Sequence, residues 1–167
     1  MSASVVPLKT APHVLSAAPS PVPALQLLQQ TALAMQHGDI AHSLELSKSA
    51  LAQAQQQHDQ HTEARALLCL AQADHLVARF HRAQETAQRA VALFQVTEDP
   101  LREAEALCVL AQTLSTMGHA DDGVEAALIA LKLQSSSPAK AQAEAYAHNS
   151  LALAYSYAGS FERADAA

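Results

Sequence analysis

A repeat of about forty residues constrains this chain more than any other feature. Four segments align: GDIAHSLELSKSAL from Gly38, ARFHRAQETAQRAV from Ala78, GHADDGVEAALIAL from Gly118 and GSFERADAA from Gly159. Their starts lie 40, 40 and 41 residues apart. Two places after each start stands Ile40, Phe80, Ala120 or Phe161, and five places after stands Ser43, Ala83, Gly123 or Ala164. Ala50-Leu51, Ala90-Val91 and Ala130-Leu131 follow in the first three copies. Upstream of the starts run Leu67, Leu70, Ala71 and Leu76, then Leu107, Leu110, Ala111 and Leu114, then Leu151, Ala152 and Tyr155. Spacings of three and four put each set on one helix face. Each repeat therefore reads as a helix, a tight turn and a second helix. Such hairpins bury their apolar faces only by stacking on their neighbours.

The punctuation agrees. Asp99-Pro100 and Ser137-Pro138 read as an N-cap followed by proline in the first helical position. Thr62 is the expected cap of the first helix of copy two. Gly38, Gly118 and Gly159 supply the left-handed conformation that ends many helices, and Ala78 stands at that place in copy two. Ala71, Ala111 and Ala152 are expected where the first helix of a hairpin approaches the second, facing Ala83, Gly123 and Ala164. The copies span about 24–60, 62–98, 100–136 and 138–167, the last one cut short. Residues 1–22, with Pro7, Pro12, Pro19 and Pro21, read as a flexible lead-in to a repeat domain over 23–167.

Composition narrows the function. Ala and Leu dominate an apolar half, with no Trp and four Gly, which favours helices over a turn-rich β design. A net charge of −6 disfavours a nucleic-acid partner. No apolar run reaches the ~18 residues of a membrane helix, and the start lacks the pattern of a signal peptide. Cys69 and Cys108 have no zinc or redox spacing and sit on apolar helical stretches, so inert thiols in a reducing, cytoplasmic compartment are expected. His58 and His61 are the tightest histidine pair, but a closed metal site needs about four ligands, and polar turn residues are the simpler reading. Asp121 and Asp122 open a helix, where carboxylates oppose the positive dipole end. No nucleophile, metal-protease or phosphate-loop motif is present, so neither catalysis nor a cofactor is expected.

The pattern resembles the tetratricopeptide repeat (TPR) family. NSLALAYSYAGSFERA at 149–164 carries the likeness best, through Leu151-Ala152, Tyr155, Gly159, Phe161 and Ala164. The resemblance covers about 24–167. The chain departs from the family in a period of 40 rather than about 34, in Gln30-Thr31 of copy one, and in Leu27, Leu67, Leu107 and His148 where an aromatic residue often opens the first helix. The long variant is similar to repeats in bacterial peptide-sensing regulators and in some eukaryotic scaffold proteins.

The resemblance implies an all-α, right-handed superhelical solenoid whose first helices line a concave face that binds a protein or peptide. Leu28, Ala32 and Met35 of copy one would lie there. Arg65, Leu68, Gln72 and His75 would follow from copy two, and Glu105, Cys108, Gln112 and Ser115 from copy three. Tyr146, Asn149, Leu153 and Ser156 would complete it. Gln72, Gln112 and Asn149 could each donate to and accept from a peptide backbone. Their simpler reading is a solvated polar face. Arg65 is the one cation among these residues, so capture of a terminal carboxylate is not expected. The short last copy suggests part of a longer signalling or regulatory protein. The competing expectation is structural: a dimer or stack formed through exposed repeat ends.

Overall fold

The computed structural model describes residues 22–134 and 140–165, and within these the side chains of 22–133, 145 and 147–159. It is a row of seven helices: α1 (Ala24–Gln36), α2 (Ile40–Gln56), α3 (Gln60–Leu76), α4 (Phe80–Val96), α5 (Pro100–Thr116), α6 (Ala120–Gln134) and α7 (Lys140–Asp165). The first five turns repeat one geometry. Gly38, His58, Ala78, Glu98 and Gly118 all have positive φ, between 54° and 92°. At each, the following amide donates to the carbonyl five residues back, as Asp39 N does to Ala34 O and Asp99 N to Phe94 O. This is the two-bond ending that satisfies the last carbonyls of a helix. These residues stand every 20 positions, so the structural module is a half-repeat, with a helix of 17 residues in α2, α3, α4 and α5. Turns within a hairpin and turns between hairpins are the same device.

Helix starts follow a matching rule. Asp39, Asp59 and Asp99 accept from the amides of His42, Thr62 and Arg102 at 3.0–3.1 Å. Asp59, not Thr62, therefore caps α3, and Thr62 is the residue whose amide is capped. Asp99-Pro100 caps α5 as the sequence suggests. Ser137-Pro138 and the lead-in up to residue 21 lie outside the described residues.

Packing sets the curvature. Odd helices touch one another, α1 on α3, α3 on α5 and α5 on α7, whereas among the described residues α2, α4 and α6 touch only their odd neighbours. The odd helices thus form the tighter, inner layer. Even helices present narrow stripes of small residues to it: Ser43, Ser47, Ala50 and Ala54; Ala83, Ala87 and Ala90, with the large Phe94 at their end; Gly123, Ala127 and Ala130. The alanines of these stripes have no exposure at all. Such stripes let helix axes approach closely, so that dispersion contacts are dense. Buried hydroxyls are satisfied locally, as Thr31 Oγ1 donates to Leu27 O at 2.9 Å and Ser115 Oγ to Ala111 O at 2.7 Å. Gln55 on Glu63 and Gln95 on Glu103 tie successive hairpins with the same bond, 40 residues apart.

The fourth copy differs from expectation in two ways. α7 runs unbroken from Lys140 through Gly159 to Asp165, so no hairpin turn forms at Gly159. Helix propagation adds one backbone bond per residue, and a glycine permits a turn without requiring one. Residues 161 and 164 therefore continue along α7 rather than fold back on it, and their side chains lie outside those described. Ala152 is exposed, and Ala147, Ser150 and Ala154 are the buried residues among the described side chains of α7. They follow Leu107, Leu110 and Leu114 by 40 positions, not 41, and this shift turns Ala152 about 100° away from the expected contact.

Candidate functional site

The inner layer opens into a groove between α1, α3 and α5. One hollow of about 220 Å³ is lined by Leu28, Ala32, Met35, Arg65, Leu68, Cys69, Gln72, Arg102 and Glu105. A second, of about 230 Å³, is lined by Met35, Gln72, His75, Leu76, Val109 and Gln112. Met35 and Gln72 border both, so the two hollows adjoin along the inner layer. Helical spacing explains the set: Leu28, Ala32 and Met35 share a face of α1, as do Arg65, Leu68, Gln72 and His75 on α3.

The polar groups have distinct roles. Thr113 Oγ1 spends its one proton on Val109 O at 2.8 Å. The 3.0 Å contact between His75 Nδ1 and that hydroxyl must then be donated by the imidazole, which leaves Nε2 as an acceptor. Burial holds the His75 pKa below its ordinary value, so the ring is neutral at pH 7. The ring also meets the Phe80 ring edge-on, with centroids 5.6 Å apart. Gln112 Nε2 donates to Ser150 Oγ at 2.9 Å, which fixes the amide and leaves its carbonyl oxygen for the groove. Gln72 makes no hydrogen bond with another described residue, so its amide retains both donors and its acceptor. Arg102 Nη1 binds Glu105 Oε2 at 2.7 Å, whereas Arg65 has no ion-pair partner among the described residues. The groove therefore has an apolar floor, a cationic end and an amide-lined end.

The structure brings Arg65, Leu68, Gln72, His75 and Gln112 together. Asn149 and Leu153 lie one turn apart on an exposed face of α7 and border neither hollow. The side chain of Tyr146 lies outside those described, and Ser156 is exposed, bonded to Ala152 O. Cys108 and Ser115 do not face the groove. Both are fully buried, Cys108 in the central core and Ser115 against Gly123 of α6. Burial pushes both thiols up to about 11, so neither is a nucleophile at neutral pH. Sequence reasoning missed Cys69, Arg102, Leu76 and Val109. Arg102 was accessible to it, since it stands one turn before Glu105 on the same helix. His61, considered above as a metal ligand, instead meets Asp99 Oδ2 at 3.0 Å.

Solved structures share this fold. The nearly identical TPR-like repeats described as a kinesin light chain of Podospora anserina superpose with a TM-score of 0.69 at 18% identity, over 87% of this chain and 72% of that one. Two structures of MamA superpose with a TM-score of 0.55 each. One is 22% identical, over 84% of this chain and 70% of that one, and the other 19% identical, over 84% and 81%. No protein-family signature and no curated protein matches the sequence. The fold is a TPR-like helical solenoid, and among the described residues no helix is long and apolar enough to cross a membrane.

Proposed function

We propose that the groove of α1, α3 and α5 binds an extended protein or peptide segment and that the chain works as a recognition scaffold without catalysis. The observation that carries this reading is the pairing of unspent amide groups with an apolar floor. Gln72 and the Gln112 carbonyl can bond a peptide backbone while Leu28, Met35 and Leu68 receive its side chains. The resemblance of the long repeat to those of bacterial regulators supports a signalling or regulatory setting, and the two thiols support a reducing one such as the cytoplasm. A nucleic-acid partner is disfavoured by the net charge of −6.

A peptide-library selection on the wild-type chain tests the proposal. A selected peptide should bind the Gln72→Ala/Gln112→Ala variant at least about tenfold more weakly, the equivalent of one or two lost hydrogen bonds. Equal binding by the two proteins would place recognition elsewhere.

Self-association is the second reading, and it rests on Tyr155, a large aromatic side chain 55% exposed on α7. Light scattering decides it. A mass that stays monomeric over a hundredfold range of concentration removes it.

A further inference from the structure

The start of α4 breaks the rule that its neighbours obey. Helices α2, α3 and α5 begin behind an aspartate that accepts from the amide three residues on. The equivalent residue before α4 is Arg79, and no described side chain caps that helix. The amide of Arg82 thus lacks the acceptor its counterparts have, and a cation stands at the positive end of a helix dipole, where an anion is favoured. Beneath it lies a second anomaly. Asp74 is fully buried, and neither carboxylate oxygen has a hydrogen-bond partner among the described residues. Its neighbours are Arg79 Nη1 and Arg82 Nε, each 3.6 Å away. That distance is too long for a hydrogen bond. One carboxylate therefore draws two guanidinium groups side by side and uses none of their donors.

Both arginines border a hollow of about 460 Å³ at the edge of the solenoid, together with Phe80, His81, Met117 and His119. Among the described residues no acidic side chain lines it, although the chain as a whole carries −6. Asp121 of α6 lines a different hollow, with Val124 and Tyr155. Two arginines over one aspartate leave an excess positive charge there, before either imidazole is counted.

We propose that this hollow binds a phosphate group. The anion takes the place of the missing cap carboxylate, accepting from the Arg82 amide and from both guanidinium groups. Phosphate suits the site better than a carboxylate because its three or four oxygens match a larger and more dispersed set of donors. Inorganic phosphate and a phosphorylated side chain present the same chemistry. The site is separate from the α1/α3/α5 groove, and it stands whether or not that groove binds peptide.

The methionines provide the test, because Met117 borders this hollow and Met35 borders the groove. The whole chain, labelled with ¹³C at its methionine methyls, is titrated separately with inorganic phosphate and with phosphoserine at constant ionic strength. The Met117 signal should move saturably while Met35 stays still. Arg79→Gln and Arg82→Gln, both at exposed side chains, should each weaken the effect at least about tenfold. Tighter binding of phosphoserine would assign the site to a phosphorylated partner, and tighter binding of inorganic phosphate to the free anion. Either result supports the site. A Met117 shift that is linear in phosphate, or one that both arginine variants retain, would overturn the proposal.

Discussion

Gly123→Ala tests the helix packing in its most demanding place. In an open helix this change stabilises by about 1 kcal/mol, because glycine is the poorer helix former. Here an added Cβ would overlap Ser115 Oγ and come within 2.9 Å of the Ala111 carbonyl oxygen. Ser115 could swing aside only by giving up its 2.7 Å bond to that same carbonyl in a fully buried position. That loss is worth about 1–3 kcal/mol. The backbone contact cannot swing aside, and α6 must shift away from α5 at an overpacking cost of about 1–3 kcal/mol. Set against the gain in helix propensity, the net effect is a destabilisation of about 1–5 kcal/mol. Urea unfolding followed by far-ultraviolet circular dichroism reads it as a lower midpoint at unchanged slope. Ser115→Ala removes the hydroxyl that meets the new methyl, so Gly123→Ala should lose less in that background, with a coupling of about 1 kcal/mol or more. A single variant as stable as the parent would refute the close α5–α6 approach, and strictly additive effects would refute the part assigned to Ser115.

Other outcomes follow from the same geometry. Ala78 holds a φ of +58°, so Ala78→Gly should raise stability by up to about 1 kcal/mol in the same urea assay, and a loss would contradict the left-handed turn. Burial of Asp99 raises its pKa, but the bonds from His61 and from the Arg102 amide outweigh this and hold it below the ordinary value. A depressed carboxylate stabilises above its unfolded pKa of about 3.9 and loses that contribution as pH falls through the folded value. The parent should therefore lose stability below about pH 4 more steeply than Asp99→Asn, and parallel acid limbs would contradict the assignment. With both thiols near 11, Cys69 and Cys108 should react slowly with a disulfide reagent at pH 7.5 in the native chain and fast in urea, whereas a rapid native reaction would contradict the raised thiols.

The hairpin order and the small-residue stripes were legible in the sequence because they repeat. Ser43, Ala83 and Gly123, and Ala50, Ala90 and Ala130, recur at a fixed spacing that only stacked helix pairs explain. The half-repeat was less visible. Its markers are the positive-φ positions, where His58 and Glu98 stand in place of glycine, so composition hides the shared geometry. Groove residues were legible on α1 and α3 but blurred on α5. That helix is packed on several sides and buries an unbroken run from Ala106 to Ala111. Without a polar stripe to set the phase, a one-residue error turns a side chain by about 100°, and so Cys108 and Ser115 were assigned to the wrong face. α7 was misread because Gly159 resembles the turn glycines, yet a glycine permits a turn without requiring one.

The groove itself is best tested by the methyl signal of Met35, which borders both of its hollows. On saturation with a library-selected peptide, the Met35 methyl should shift while Met117, in the turn between α5 and α6, stays in place. A peptide that binds to saturation and leaves Met35 unmoved would contradict the assignment of recognition to the inner layer.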